Sequence, residues 1–175
     1  DSLGVGQDVV ELKKGEDLHH SMQLVVEGYS VRHCNMRIVD DNFNILEEGK
    51  LGNIQISGDN VTKEYYNNSE LTKRIISKDG WLITGDLGFI KDGRIVVIGR
   101  SKDVICIDGI TYYPHYIEKK CEEIEGIVSG RIVACGLGDE VIIFLLFKKK
   151  LEHFIGFAQR VKEVIREQIN IDVDA

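Results

Sequence analysis

"GWLITGDLGFIKDGRIVVIGRSKDVICIDGITYYPHYIE", residues 80–118, sets short apolar runs between glycine-centred breaks and places charged residues beside those breaks. "WLITGD", "LGFI" and "RIVVIG" have the length and β-branched content of strands, and Asp92-Gly93 between "GFI" and "RIVVI" is hairpin chemistry. "DVICID" and "ITYY" predict a second hairpin around Gly109. Pro114 then stands where a helix can start, because its missing N–H has no partner to lose in a first turn. Ile117, Cys121 and Ile124 give that helix one apolar stripe. A sheet needs only turns at Gly85 and Gly99, so Asp86 and the Arg100-Ser101-Lys102-Asp103 cluster ask for a second reason.

Upstream of this stretch, "QLVVEG", "NMRIVDD" and "GNIQISG" continue the strand-and-turn pattern, which predicts an antiparallel β-rich region ending near Ile98. "EEGKLG" reads as a turn. "NSELTKRII" is the exception: Asn68 or Ser69 can cap a short helix with Glu70 in its first turn. Downstream, "GRIVACG" and "EVIIFLLF" predict two strands around "GLGDE". A final helix from about Leu151 to Ile169 follows, with Leu151, Phe154, Ile155, Ala158, Val161, Ile165 and Ile169 on the face that packs against a sheet. The fold class is therefore α+β, with a β-rich unit over 1–98 and a small α+β unit over 99–175. The joint between them is short and charged, without Pro or Ser padding, and suits a hinge better than a flexible tether.

The 175 residues are 43% hydrophobic, enough for one domain or two small ones. Twenty-two Lys and Arg against 29 Asp and Glu give a net charge of -7, which argues against a nucleic-acid or anionic-membrane binder. No run is long enough to span a bilayer, since "VIIFLLF" covers only 141–147. Cys34, Cys106, Cys121 and Cys135 form no Cys-x-x-Cys pair and sit in apolar runs, so buried free thiols and a reducing cytoplasm are expected. His19-His20 lacks the spacing of a metal site and reads as a solvated turn, so no metal is expected. The chain opens without methionine and stops just after an amphipathic helix, and we read it as a piece of a larger protein.

Two breaks carry candidate chemistry. A carboxylate beside a glycine that lets a ligand approach the backbone can accept hydrogen bonds from two vicinal hydroxyls of a ribose, and Asp86 is placed for that. The same residue can equally form an Asx-turn on nearby N–H groups. Arg100 and Lys102 can reach the same sugar or a phosphate, or form surface ion pairs of little energetic weight. "GVGQDV" and "GLGDEV" lack the third glycine of a dinucleotide fingerprint and read as turns. Lys148-Lys149-Lys150 is a solvated connector or a contact for an acidic carrier protein.

"GNIQISGDNVTKEYYNNSELTKRI", "GWLITGDLGF" and "DGRIVVIGRSKDVICIDGITYYPHYIE", in that order, resemble the later core motifs of the adenylate-forming superfamily of acyl-CoA synthetases, peptide-synthetase adenylation domains and luciferases. The Tyr-Pro after the glycine hairpin, and the stretch from Asp8 to Asp41, are most similar to fatty-acyl-AMP ligases. The resemblance implies a C-terminal fragment of such an enzyme, with a distorted barrel-like β-rich subdomain followed by a truncated small domain. It implies a fatty acid, ATP and Mg2+ as reactants and cofactor, and an acyl carrier protein with its phosphopantetheine thiol as acceptor. CoA is the alternative acceptor, and a catalytically silent carrier-docking module the alternative role.

Carried over position by position, the resemblance implies that Asp86 binds the ribose hydroxyls of AMP and that Arg100, from the other side of the joint, contacts the same ribose. Lys102 falls at the hinge, and Gly109 in the hairpin presented to the pantetheine tunnel. Cys106 stands where some relatives place a lysine. The family's phosphate-cradling loop, its adenine and magnesium motif and its late catalytic lysine are not among these residues, so the chain by itself is expected to be inactive.

Overall fold

The computed structural model describes residues 3–13 and 21–171. The His19-His20 pair and the last four residues lie outside that range. The chain divides into two compact units: Leu3–Glu11 with Gln23–Lys102, and Leu12–Met22 with the residues from Asp103 onward.

The first unit is one open, antiparallel five-stranded sheet in the order β1-β5-β4-β3-β2. Its strands are β1 (Val26–Gly28), β2 (Cys34–Val39), β3 (Gly52–Gly58), β4 (Leu82–Lys91) and β5 (Arg94–Arg100). β1 and β2 are its edges and do not pair with each other, so the barrel expected from the resemblance is not closed. Ile38, Leu51, Ile54, Phe89, Val96 and Ile98 are buried, each contributing roughly 1.5–3 kcal/mol of transfer free energy. Gly88 of β4 pairs with Gly52 of β3 and Val97 of β5, and a Cβ there would run into the Val96 carbonyl and the Ile54 side chain.

The Asp92-Gly93 hairpin forms as its sequence predicts, with Lys91 opposite Arg94 and both turn residues at positive φ (48° and 73°). The short helix α1 (Ser69–Ile75) is capped by Asn68, whose Oδ1 accepts from the Leu71 N–H at 3.0 Å. The sequence separates "WLITGD" from "LGFI", whereas the structure runs them together as β4. Gly85, at φ +79°, bends that strand without ending it. Between β2 and β3 the connection of residues 40–51 is built on Asp40, which accepts from the N–H groups of Asn42 and Asn44 and from the Asn44 amide. Those bonds, the Asn44 side chain's first, hold the Asp40 carboxyl below its ordinary range.

The first strands of the second unit are the hairpin β6 (Ile105–Ile107) and β7 (Ile110–Tyr112), followed by α2 (Pro114–Glu122), which starts at its proline. β8 (Ile132–Leu137) and β9 (Glu140–Leu145) pair antiparallel, and α3 (Phe154–Ile169) follows a 3-10 turn at Leu151–His153. Ile117 and Cys121 of α2 pack with Ile132, Val141, Val161 and Ile165 in one core. The Glu118 carboxylate accepts from the Ala134 N–H at 3.0 Å and ties α2 to β8.

The final helix departs from its expected face. Val161, Val164, Ile165 and Ile169 are buried, whereas Leu151 and Ile155 are 82% and 71% exposed. The apolar period is therefore satisfied only from the middle of α3 onward. The cysteines differ from expectation too. All four are free thiols, but only Cys121 is buried, Cys34 and Cys135 are half-buried and Cys106 is exposed. Cys106 lies on a two-stranded hairpin, where alternation turns every second side chain to solvent.

Candidate functional site

Asp86 and Arg100 face each other as a cross-strand pair of β4 and β5. The Arg100 Nε lies 3.0 Å from Asp86 Oδ1, with Asp86 31% and Arg100 55% exposed. Both residues therefore belong to the sheet unit, not to opposite sides of the joint. The ladder shifts register between Leu87 and Gly88, where β5 carries one extra residue, and this irregularity takes the pairing past Gly99 to Arg100. A glycine that looks like a break in the sequence is here part of a bulge.

The other edge of β4 is more irregular. Ile83 pairs with Gln55 and Leu87 with Asn53, so Thr84, Gly85 and Asp86 stand opposite Ile54 alone. The bulge pushes these residues out of the ladder and is what lets a carboxylate emerge from a central strand. Thr84 Oγ1 donates to the Ile54 carbonyl at 3.0 Å and accepts from the Asp86 N–H at 3.0 Å. Ser101 Oγ donates to the Gly85 carbonyl at 3.1 Å. The sequence marks "TGD" for its aspartate. The hydroxyls on either side carry the turn, one from Thr84 in β4 beside the glycine–aspartate step and one from Ser101 in the turn after β5.

The base of β4 is held by a separate network. Arg37 of β2 reaches Asp79 Oδ2 at 2.8 Å and Gln55 Oε1 at 2.7 Å, and its guanidinium lies 4.2 Å from the centroid of the Trp81 ring. Hydrogen bonds from the Ser77 hydroxyl and then from Arg37 hold the Asp79 carboxyl below its ordinary range.

Lys102 occupies the middle of the exposed 3-10 turn Ser101–Asp103 and is the last residue of the sheet unit. Gly109 sits in the β6–β7 turn after Asp108, at φ +76°, with no atom within 4 Å of the position a Cβ would take. The structure thus brings Asp86 and Arg100 together and leaves Lys102 and Gly109 as exposed turn residues. Lys148, Lys149 and Lys150 are exposed after β9. A groove between α2 and α3, lined by Lys120, Ile124, Arg160 and Gln168, contains none of these residues. Among the described residues no three His, Cys, Asp or Glu side chains gather as a metal ion would require, and no helix is long and apolar enough to cross a membrane.

The arrangement offers a partly exposed carboxylate, a guanidinium beside it, and the end of the sheet unit two residues further on, at Lys102. No family model matches the chain. It is 34% identical over 122 residues to the nonribosomal peptide synthetase btyA of Aspergillus terreus, covering 67% of this chain and 13% of the relative. It is 36% identical over 115 residues to a putative acyl-CoA synthetase of Caulobacter vibrioides, covering 63% and 20%. Among solved structures, McyG A-PCP complexed with phenylalanyl-adenylate matches with a TM-score of 0.78 and 32% identity, over 86% of this chain and 28% of that one. The fatty acyl-adenylate ligases from E. coli and L. pneumophila match with a TM-score of 0.77 and 27% identity, over 86% and 27%. The chain spans a fifth or less of these two curated relatives. The likenesses support the adenylate-forming superfamily, and the antiparallel sheets and small α+β unit match the C-terminal part of its enzymes.

Proposed function

We propose that the chain is the C-terminal part of an ATP-dependent acid–thiol ligase that activates a carboxylic acid, a fatty acid in the first instance, as its acyl-adenylate and passes the acyl group to a carrier-protein thiol. Asp86 accepts hydrogen bonds from the ribose hydroxyls of the nucleotide, and Arg100 orients that carboxylate and contacts the same sugar. Lys102 is the pivot between the two units, and Gly109 belongs to the hairpin offered to the pantetheine arm. The observation that carries the reading is a partly exposed carboxylate on a bulge with a guanidinium beside it, in a chain whose fold is shared with an adenylate-bound structure. The magnesium implied by ATP finds no carboxylate cluster among the described residues, and no residue of this chain is assigned to it.

The test is Asp86→Ala in the full-length protein, read by ATP–pyrophosphate exchange. Hydrogen bonds to a charged group contribute about 1.5–3 kcal/mol, so KM for ATP should rise roughly ten- to hundredfold while the fold is kept. An unchanged KM removes the ribose role.

Likeness to a putative acyl-CoA synthetase favours a second reading in which CoA is the acceptor. Offering the full-length protein equal carrier protein and CoA, and weighing the products, separates the two. The exposed Lys148–Lys150 run supports carrier docking by charge. Changing all three to Glu should weaken titration by an acidic carrier protein, and unaltered affinity would eliminate that contact.

A further inference from the structure

One peptide group in the candidate site is fastened at both poles by side chains. The carbonyl of Gly85 and the N–H of Asp86 belong to the same peptide plane. The first accepts from Ser101 Oγ at 3.1 Å, and the second donates to Thr84 Oγ1 at 3.0 Å. A hydroxyl has one proton to give and two lone pairs to offer, and Thr84 uses both functions, since it also donates to the Ile54 carbonyl at 3.0 Å. The chain of bonds therefore runs from β3, through Thr84, across the Gly85–Asp86 peptide, to the turn that follows β5.

This plane needs fastening. Gly85 adopts φ +79°, a region that glycine enters without steric cost but that carries no Cβ contact to hold the neighbouring peptide in one orientation. The bulge removes the second source of rigidity, because three residues face one and regular pairing on the β3 side is interrupted. Rotation of the plane would swing the Asp86 Cα–Cβ bond and with it the carboxylate. We propose that Thr84 and Ser101 are positioning residues, a pair of hydroxyls that clamp the Gly85–Asp86 peptide and so fix the direction in which Asp86 presents its carboxylate. The inference rests on the ribose reading of Asp86 and adds the residues through which that role is set.

Ser101 has a second consequence by position. It is the first residue of the 3-10 turn, and the chain leaves the sheet unit after Lys102. Its bond to Gly85 keeps the start of that turn on the sheet.

The experiment uses the full-length protein, ATP–pyrophosphate exchange and four variants: Thr84→Val, Thr84→Ser, Ser101→Ala and Asp86→Ala. Valine keeps the shape of threonine and loses both hydrogen bonds, whereas serine keeps the hydroxyl. Thr84→Val should raise KM for ATP about tenfold, and Ser101→Ala, whose bond is exposed, about threefold. Thr84→Ser should return to within about twofold of the parent, and KM for the carboxylic acid should stay unchanged in all three. If Asp86→Ala raises KM for ATP and neither hydroxyl variant does, the clamp is wrong and the ribose reading stands. If Asp86→Ala itself has no effect, the reading beneath the clamp falls with it. A parallel rise in KM for ATP and for the acid, with a lowered unfolding midpoint, would mark a general structural role and also overturn the proposal. Should Thr84→Val fail to fold, Ser101→Ala on its exposed turn decides alone.

Discussion

Replacing Arg37 by Met should destabilise the sheet unit by about 2–4 kcal/mol, and the size follows from what the guanidinium leaves behind. Gln55 is 0% exposed and its Nε2 has no partner among the described residues, so the Arg37 Nε is what satisfies the amide's oxygen. Without it both ends of a buried amide are unpaired, at about 1–3 kcal/mol for the newly orphaned acceptor. The contact with Trp81 contributes about 0.5–2 kcal/mol more. The Asp79 side adds little, because that carboxylate is solvated when the arginine goes. Methionine fills much of the arginine stem's volume, so a cavity is a minor part of the loss. The same physics makes a second, sharper statement: removing both polar partners, as Arg37→Met with Gln55→Met, should recover most of the stability lost in the single variant. Trp81 is the chain's single tryptophan and lies under the guanidinium, so urea unfolding followed by its fluorescence reads this unit directly. A single variant costing less than about 1 kcal/mol, or a double variant whose loss is the plain addition of two singles, refutes the reasoning.

Three further outcomes concern the second unit. Ile117 is 0% exposed at the centre of the α2–α3 core, so Ile117→Ala should cost about 2–5 kcal/mol, measured by chemical denaturation with circular dichroism of the helices. Burial pushes the Cys121 thiol from 9.0 up to about 12 and the Tyr113 hydroxyl from 10.0 up to about 12. Both groups hold their protons more tightly when folded, so their stabilisation is full below about pH 9 and is lost as pH rises from there toward 12. At pH 8 a thiol reagent should modify exposed Cys106 rapidly and Cys121 only after unfolding, and equal rates would contradict the packing.

Much of the architecture is legible in the residues because local chemistry and tertiary need agree. Asp92-Gly93, Asn68 before α1 and Pro114 at the start of α2 each act through their own backbone preferences, and each stands where the spacing predicts. The bulge at Thr84–Asp86 is not legible in this way. It depends on which residue of β3 faces which residue of β4, a property of pairing that no single strand encodes. For the same reason Gly85 and Gly99 look like strand ends in the sequence, yet β4 continues through Gly85 and the pairing reaches Arg100. Leu151 and Ile155 fail for another cause: helical period marks a face, but only a neighbour of sufficient length can cover it. Asp86 and Arg100 stand out as residue types, whereas Thr84 and Ser101 are ordinary until their partners are known.

The bulge also limits how this segment can change in length. Four residue steps separate Ile83 from Leu87 and two separate Gln55 from Asn53, so the excess is even and the inward phase of β4 survives the detour. If the remaining residues re-entered regular pairing, deleting one among Thr84, Gly85 and Asp86 would turn Leu87 and Phe89 to the opposite side of the sheet and evict both from the core. Insertions and deletions here should therefore be tolerated better in pairs than singly, a parity preference that a library of length variants, sorted for soluble folded protein, would expose at once.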